Sequence, residues 1–177
     1  MKNIQVCSFV SPRLVPGWAD AEAVVEGFTA IKGIKYSGLY FNGHGLDRAL
    51  SYKDKLTLSG EISLTASEGF TKKNLNRSHA ENVVAMKRHA TAHLDNKISV
   101  NSIGVMAAFG CNYQGDIAPE VIVNTLKDGM SIAEETGAKI TVFSLADTMG
   151  WAAPHRIERV LGEVRNEWPE MEISLHL

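Results

Sequence analysis

Apolar segments and amphipathic segments alternate along the whole chain, and this alternation limits its possible folds more than any other feature. It predicts six strands and five helices, with strands roughly 25 to 40 residues apart, a spacing typical of strand–helix units in a parallel sheet. The predicted strands span residues 4–10, 35–41, 58–65, 98–107, 139–145 and 171–177. The predicted helices span residues 21–31, 46–53, 78–94, 119–135 and 154–168. The sequence therefore indicates an α/β protein built on parallel strands.

Polar residues interrupt the predicted strands, for example Gln5, Ser63 and Ser144. Buried strands of an open parallel sheet usually consist almost entirely of Val, Ile and Leu, whereas barrel strands present polar positions near the barrel mouth. No G-x-G-x-x-G or phosphate-loop pattern follows the first strand, which weakens the doubly wound alternative. A barrel is favoured. Because no linker or low-complexity stretch interrupts the chain, a single domain is expected over residues 1–177.

Composition excludes several classes of protein. The net charge is −2, so neither nucleic acid nor a membrane surface is an expected partner. The two cysteines, Cys7 and Cys111, are too few for a disulfide scaffold and fit a reducing, cytoplasmic location. No apolar run is long enough to cross a bilayer, and strand-like sequence begins so early that no signal peptide is expected.

Polar side chains gather directly after the predicted strands, at one edge of a parallel sheet, which is a signal for a functional site. They are Ser8, Ser11, Asn42, His44, Ser67, Glu68, Asn112, Tyr113, Asp147, Thr148 and His176. Taken alone, Ser67 and Asn112 are more typical of turns. For Asp147 a functional role and a turn-closing role are equally open, and His176 is equally open as a ligand or as a satisfied core residue.

A basic cluster, Lys72, Lys73 and Arg77, lies just before the helix predicted to start at Ser78. A helix dipole does not favour cations at that end. Together with the free N–H groups of the helix, these side chains could hold a phosphate group. A solvated charge cluster is the alternative interpretation, and on these residues alone it is the favoured one.

Five loop segments, taken in order, resemble the 3-hydroxy-3-methylglutaryl-CoA lyase family. They are residues 8–12 with 15–16 and 19–20, residues 66–68 with 70–74, residues 110–115, residues 144–154, and residues 174–177. The resemblance covers almost the whole chain. It implies a partial TIM (β/α)8 barrel, in which the six predicted strands correspond to the second to seventh strands and the first and eighth are missing.

The resemblance also implies an activity: metal-dependent, retro-aldol cleavage of a 3-hydroxyacyl-CoA to acetyl-CoA and a keto acid. It implies a divalent metal, Mg²⁺ or Mn²⁺, with His176 as a ligand, and an acyl-CoA substrate. It assigns catalytic roles to Asp147, Ser144 and Gln5. It assigns substrate binding to the following residues: Ser8, Asn42, Ser67, Lys72 and Lys73. Because the family is commonly dimeric, a homodimer is expected.

Some positions depart from the family pattern. Gln5 stands where the family usually has Glu, so a 3-hydroxyacyl-CoA other than the family's usual substrate is expected. Gly43 and His44 replace a Leu-Lys pair. The other expected metal ligands are absent, and one imidazole makes a poor magnesium site. We therefore expect metal binding to be weak or absent and the chain to be an inactive fragment. A Claisen-type acyl-CoA synthase relative and a non-catalytic CoA-binding remnant are the alternatives.

Overall fold

The computed structural model describes residues 2–177 and divides into two compact units, one up to Ser59 and the other Gly60–Leu177. Each unit alternates strands with helices along the sequence. The prediction that residues 1–177 form a single domain stays a prediction. Among residues 2–177, no helix combines the length and apolar character needed to cross a membrane.

The first unit is built on two parallel strands, β1 (Asn3–Ser8) and β2 (Lys35–Leu39). A short 3-10 helix (Pro16–Trp18) and helix α1 (Ala21–Gly27) connect them, and helix α2 (Gly43–Leu50) follows β2. The core of this unit consists of buried apolar residues from all of these strands and α-helices and from the loops beside them: Cys7, Phe9, Ala21, Val25, Tyr36, Ala49 and Leu56.

Two helix boundaries in this unit differ from the sequence prediction. Helix α2 begins at Gly43 rather than Leu46, because the Asn42 side chain accepts a hydrogen bond from the Gly45 N–H at 2.9 Å and so caps the helix three residues earlier. Helix α1 ends at Gly27 rather than continuing to Ile31, because Phe28 has an extended backbone conformation.

The second unit contains a four-stranded parallel sheet. Its strands are β3 (Gly60–Thr65), β4 (Val100–Met106), β5 (Val142–Ala146) and β6 (Glu172–His176), which lie side by side in that order. The connections carry helices α3 (Glu68–Leu75), α4 (His79–Asp95), α5 (Pro119–Thr136) and α6 (Pro154–Glu167). Sequential parallel strands with helical crossovers confirm the predicted α/β class of this unit.

The two faces of this sheet differ in character. Ile103, Phe143 and Leu145 are fully buried and belong to the core that the sheet shares with the helices. Helix α5 approaches closely at Gly129, where an added Cβ atom would lie 2.7 Å from Ile103 Cγ2. Because side chains alternate along a strand, Ser102, Gly104 and Ser144 lie on the opposite face, which we call the polar face.

The sequence prediction missed helix α3. The Ser67 side chain caps its first turn by accepting a hydrogen bond from the Phe70 N–H, and Asn76, with φ of 51°, ends it in the left-handed conformation. Lys72 and Lys73 therefore lie in the last turn of α3 and not in a loop before the next helix, which corrects the prediction. At a helix C-terminus the dipole favours cations.

Candidate functional site

The carboxyl ends of strands β3 to β6 lie at one edge of the sheet in the second unit, and the loops that follow them are joined by hydrogen bonds. Ser67, directly after β3, has no exposed surface. Its hydroxyl accepts from the Phe70 N–H at 3.1 Å, and its O–H lies within hydrogen-bond distance of two acceptors, Cys111 Sγ at 3.0 Å and Gln114 Oε1 at 3.2 Å. The structure thus shows Ser67 as a helix cap rather than a turn residue, and its predicted role in substrate binding stays a prediction.

The loops after β4 and β5 are also tied together at their first residues. Ala107 has a φ of 55°, in the left-handed region that non-glycine residues rarely adopt. Its N–H donates to Thr148 Oγ1 at 2.8 Å, and the N–H of Ala108 donates to the Ala146 carbonyl at 3.0 Å. The backbone strain at Ala107 is thus held in place by partners from the neighbouring loop.

Asp147 organises the loop after β5. One carboxylate oxygen accepts from the Trp151 N–H at 2.7 Å, and the other accepts from the Ala152 N–H at 2.9 Å. The Asp147 N–H itself donates to the His176 carbonyl at 2.8 Å. Of the two roles left open for Asp147, the structure therefore shows the turn-closing one. Its catalytic role stays a prediction.

A tryptophan that the sequence analysis did not single out packs at the centre of this edge. The Trp151 indole N–H donates to Asn112 Oδ1 at 2.7 Å, and its ring covers Gly110, where a Cβ atom would lie 2.6 Å from the ring. The Arg156 guanidinium lies 5.7 Å from the ring centroid and forms an ion pair with Asp116. The only signal in the sequence was a large aromatic residue in a loop after Gly150.

Ser144 and His176 lie on strands at the same edge. Ser144 is half-buried on β5, between Gly104 of β4 and Ser174 of β6 in the register of the sheet. His176 is exposed, at the end of β6, paired with Ala146. Because Ser144 and Ala146 are two residues apart, the predicted catalytic serine and the predicted ligand histidine lie on the same polar face.

The remaining predicted site residues divide between the two units. In the first unit, Gln5 is exposed on β1, Asn42 caps α2, and Ser8 is only 2% exposed. Among residues 2–177 the Ser8 hydroxyl finds no hydrogen-bond partner. In the second unit, Lys72 and Lys73 are exposed.

Arg48, which the sequence analysis did not single out, holds the chain after β1 in place through hydrogen bonds. Arg48 Nε and Nη2 donate to the two carboxylate oxygens of Glu22 at 2.6 and 2.9 Å. Its Nη1 donates to the carbonyls of Phe9 and Val10 at 3.0 and 3.2 Å. The hydrogen bond from Arg48 holds the pKa of the Glu22 carboxyl below its usual value.

The residues present do not form a metal site by themselves. Within residues 2–177, no three or more His, Cys, Asp or Glu side chains are grouped so that they could hold a metal ion. His176 is exposed at the strand end, and both carboxylate oxygens of Asp147 already accept backbone N–H groups. A magnesium ion prefers several oxygen ligands, which this set does not provide.

Comparisons with known protein sequences all indicate the same family. The family model described as HMGL-like matches residues 36–177. The hydroxymethylglutaryl-CoA lyase of Bacillus subtilis is 30% identical over 180 residues, covering 99% of this chain and 56% of that protein. The cytoplasmic 3-hydroxy-3-methylglutaryl-CoA lyase of Homo sapiens is 33% identical over 183 residues, covering 98% of this chain and 44% of that protein. The chain thus spans about half the length of the curated relatives it matches.

Solved structures that resemble this chain include lyases of the same family. The crystal structure of the Bacillus subtilis HMG-CoA lyase superposes with a TM-score of 0.85 at 28% identity, covering 100% of this chain and 56% of that one. An HMG-CoA lyase from Acinetobacter baumannii, in complex with coenzyme A and 3-methylmalate, gives a TM-score of 0.79 at 27% identity and covers 100% of this chain and 54% of that one. The predicted fold class, part of a TIM (β/α)8 barrel, is confirmed.

Proposed function

The chain belongs to the HMGL-like family, and on that premise we propose that it carries part of the active site of a carbon–carbon lyase of the hydroxymethylglutaryl-CoA lyase type. The reaction breaks a carbon–carbon bond of a 3-hydroxyacyl-CoA in retro-aldol fashion and gives acetyl-CoA and a keto acid. A base removes the hydroxyl proton as the bond breaks, and the enolate of acetyl-CoA that results takes up a proton.

One observation carries this proposal: the loops after β3, β4 and β5 are fixed to each other at the carboxyl ends of the strands. Side chains make these links, as in the contact of Ser67 with Cys111 and the bond from Ala107 to Thr148. Barrel enzymes place their reacting groups at this edge. A rigid arrangement there favours a site that holds a substrate in a defined geometry.

An acyl-CoA is the proposed ligand. The relative from Acinetobacter baumannii was solved with coenzyme A, and we carry that ligand over to this chain as part of the proposal. Lys72 and Lys73 are exposed in the last turn of α3, and no ion pair involves either of them among residues 2–177. They are the proposed contacts for the phosphate groups, to which lysine binds as a point charge.

The family depends on a divalent metal, but the described residues of this chain lack a group that fits one. We therefore assign no step to a metal held by this chain alone. The proposed roles of its residues are those of positioning and binding: Asp147 and Ser67 hold the loops, and Ser144 faces the substrate from the polar face.

Two measurements on the 177-residue chain test the proposal. In calorimetry, coenzyme A is expected to bind, and a chain that shows no binding would contradict the ligand assignment. In a turnover assay with 3-hydroxy-3-methylglutaryl-CoA and Mg²⁺ or Mn²⁺, acetyl-CoA formation is expected to stay far below normal enzyme rates. Turnover near such rates would overturn the inactivity expected for this chain.

A non-catalytic CoA-binding remnant is the second candidate function. Both Asp147 carboxylate oxygens accept hydrogen bonds from backbone N–H groups. This favours the non-catalytic candidate, because the carboxylate then stabilises the loop. Calorimetry with CoA and, separately, with Mn²⁺ tests this candidate: the remnant is expected to bind CoA without binding Mn²⁺, and Mn²⁺ binding would contradict it. The cytoplasmic location stays a prediction, since relatives named cytoplasmic and mitochondrial both match the chain. The homodimer also stays a prediction.

A further inference from the structure

A cavity of about 290 Å³ opens between the loop before α5 and the first two turns of α6. Phe109 and Val160 are almost fully buried and form its floor, and both belong to the core that the sheet shares with its helices. The cavity is therefore on the helix-covered side of the sheet, whereas the substrate site proposed above is on the polar face. Its volume is at the lower end of the range for small-molecule pockets, roughly 300–1,000 Å³, so it suits a small ligand.

Basic side chains dominate the polar lining of this cavity. His155, Arg156 and Arg159 come from the first two turns of α6. Residues three and four apart lie on one face of a helix, so these side chains gather on the same side of α6. Among the described residues that line the cavity, Asp116 is the only acidic one. Two arginines and one aspartate leave a net positive charge, and the His155 imidazole offers an N–H donor in either protonation state.

Arg156 is held in place by contacts that use only part of its guanidinium. The group lies 5.7 Å from the centroid of the Trp151 ring. One nitrogen, Nη1, donates to the Phe109 carbonyl at 3.3 Å and forms the ion pair with Asp116. The Nε and Nη2 groups have no hydrogen-bond acceptor among residues 2–177. These two groups form one side of the planar fork that binds a carboxylate or phosphate with two hydrogen bonds.

Arg159 and His155 are exposed, and neither side chain forms an ion pair within the described part of the chain. Unpaired positive charge in a concave site attracts anions. Two arginines at one site favour a ligand that carries more than one negative charge and several acceptor oxygens. A phosphate monoester has both properties, and its carbon skeleton suits an apolar floor.

We propose that this cavity is an accessory binding site for a small phosphate monoester. Arg156 and Arg159 bind the phosphate oxygens, and Phe109 and Val160 contact the carbon skeleton. The inference goes beyond the proposed lyase function, because the cavity and the polar face are on opposite sides of the sheet. It assigns a ligand-binding role to residues at the start of α6 that the proposed function does not use.

Calorimetry on the full chain tests the proposal, with glycerol 3-phosphate as the probe. The unmodified chain is expected to bind this probe and to show no binding of glycerol, which lacks only the phosphate. Succinate, a dicarboxylate, is expected to bind more weakly than glycerol 3-phosphate. A chain that does not bind glycerol 3-phosphate would overturn the proposed site, and equal affinity for succinate would overturn the assignment to phosphate monoesters.

Two variants with opposite expected effects locate the binding. R159Q should weaken binding of glycerol 3-phosphate about fivefold, because it removes one charged contact. D116N should strengthen binding about twofold, because it removes the carboxylate that competes for Arg156. R88Q on α4 and D54N in the first unit make the same changes at exposed positions elsewhere and should leave the affinity unchanged. Circular dichroism should show all four variants folded. Equal losses of affinity in R159Q and R88Q would overturn the proposal.

Coenzyme A also carries a phosphate monoester, and a competition experiment separates it from a free ligand. Saturating coenzyme A should leave the affinity for glycerol 3-phosphate unchanged, because the cavity is on the opposite side of the sheet from the polar face. R159Q should likewise leave the affinity for coenzyme A unchanged. Displacement of glycerol 3-phosphate by coenzyme A would overturn the proposal of a separate site.

Discussion

Ser67 and Cys111 are 44 residues apart in the sequence, yet the Ser67 hydroxyl oxygen and the Cys111 sulfur lie 3.0 Å apart with no exposed surface on either residue. The same hydroxyl caps α3. One side chain thus fixes the start of a helix and the neighbouring loop at once. The loop geometry at this edge depends on it.

Replacing Ser67 by Ala should lower the free energy of unfolding by about 1 to 2 kcal/mol, because the helix loses its cap and the Cys111 sulfur loses one of its hydrogen-bond donors. Urea denaturation followed by circular dichroism measures this change. Ser131, which is exposed on α5, provides the control, and S131A should change stability by less than about 0.5 kcal/mol. Equal effects of the two variants would contradict the role assigned to Ser67.

Replacing Asp147 by Asn should also destabilise the chain, by about 1 to 3 kcal/mol. The amide keeps one acceptor but turns an NH₂ group toward the N–H of either Trp151 or Ala152, both of which now donate to carboxylate oxygens. Chemical denaturation is again the measurement. D54N, at an exposed aspartate of the first unit, should have almost no effect.

Helix α5 tolerates no side chain at Gly129, because a Cβ atom there would meet Ile103 Cγ2 at 2.7 Å. G129A should therefore cost about 1 to 3 kcal/mol through overpacking. Gly162 is the matched control: it is exposed on α6 with no atom within 4 Å of an added Cβ. G162A should instead stabilise the chain by about 0.5 to 1 kcal/mol, because Ala favours a helix. Thermal unfolding of both variants measures whether each substitution lowers or raises stability.

Stability should fall as the pH drops below about 6.5. Burial, together with the nearby charge of His93, lowers the pKa of His89 to about 4, and burial also lowers the pKa of His93. Between about pH 4 and pH 6.5, the unfolded chain therefore binds more protons than the folded chain. Each such histidine contributes up to about 1.4 kcal/mol of lost stability per pH unit. H89Q should flatten the pH dependence of the free energy of unfolding in this range, which chemical denaturation at several pH values measures.

Coenzyme A affinity should decrease when Lys72 and Lys73 are both replaced by Gln. Exposed charge pairs are each worth about 0.2 to 1 kcal/mol, so the dissociation constant should rise a few-fold at low salt and the difference should shrink at high salt. Calorimetry at two ionic strengths measures this. K139Q lies just before β5, at the opposite edge of the sheet, and should bind coenzyme A normally.

The sequence predicted the six strands to within a few residues because each strand is an apolar segment bounded by turn residues, and both local signals place it at the same position. It missed α3, since residues 68–75 contain Gly69 and an asparagine, which disfavour a helix, and bury only Phe70 and Thr71 on one side. The signal that was present was Ser67 as a cap. A polar residue after a strand is ambiguous between a turn and a cap until the following segment is placed.

The candidate site was predicted in outline, as polar residues after parallel strands, but not in its contacts. The bond between Ser67 and Cys111 and the contact of Trp151 with Asn112 depend on strand register and loop conformation. Neither is encoded in local sequence spacing.

Arg48 has a consequence for the timing of motions in the first unit. A single guanidinium holds α1 through Glu22, the chain after β1 through the carbonyls of Phe9 and Val10, and α2, from which it projects. None of these three segments can open without breaking bonds to the same group. Hydrogen exchange of their protected amides should therefore follow one shared opening event rather than a separate rate for each segment.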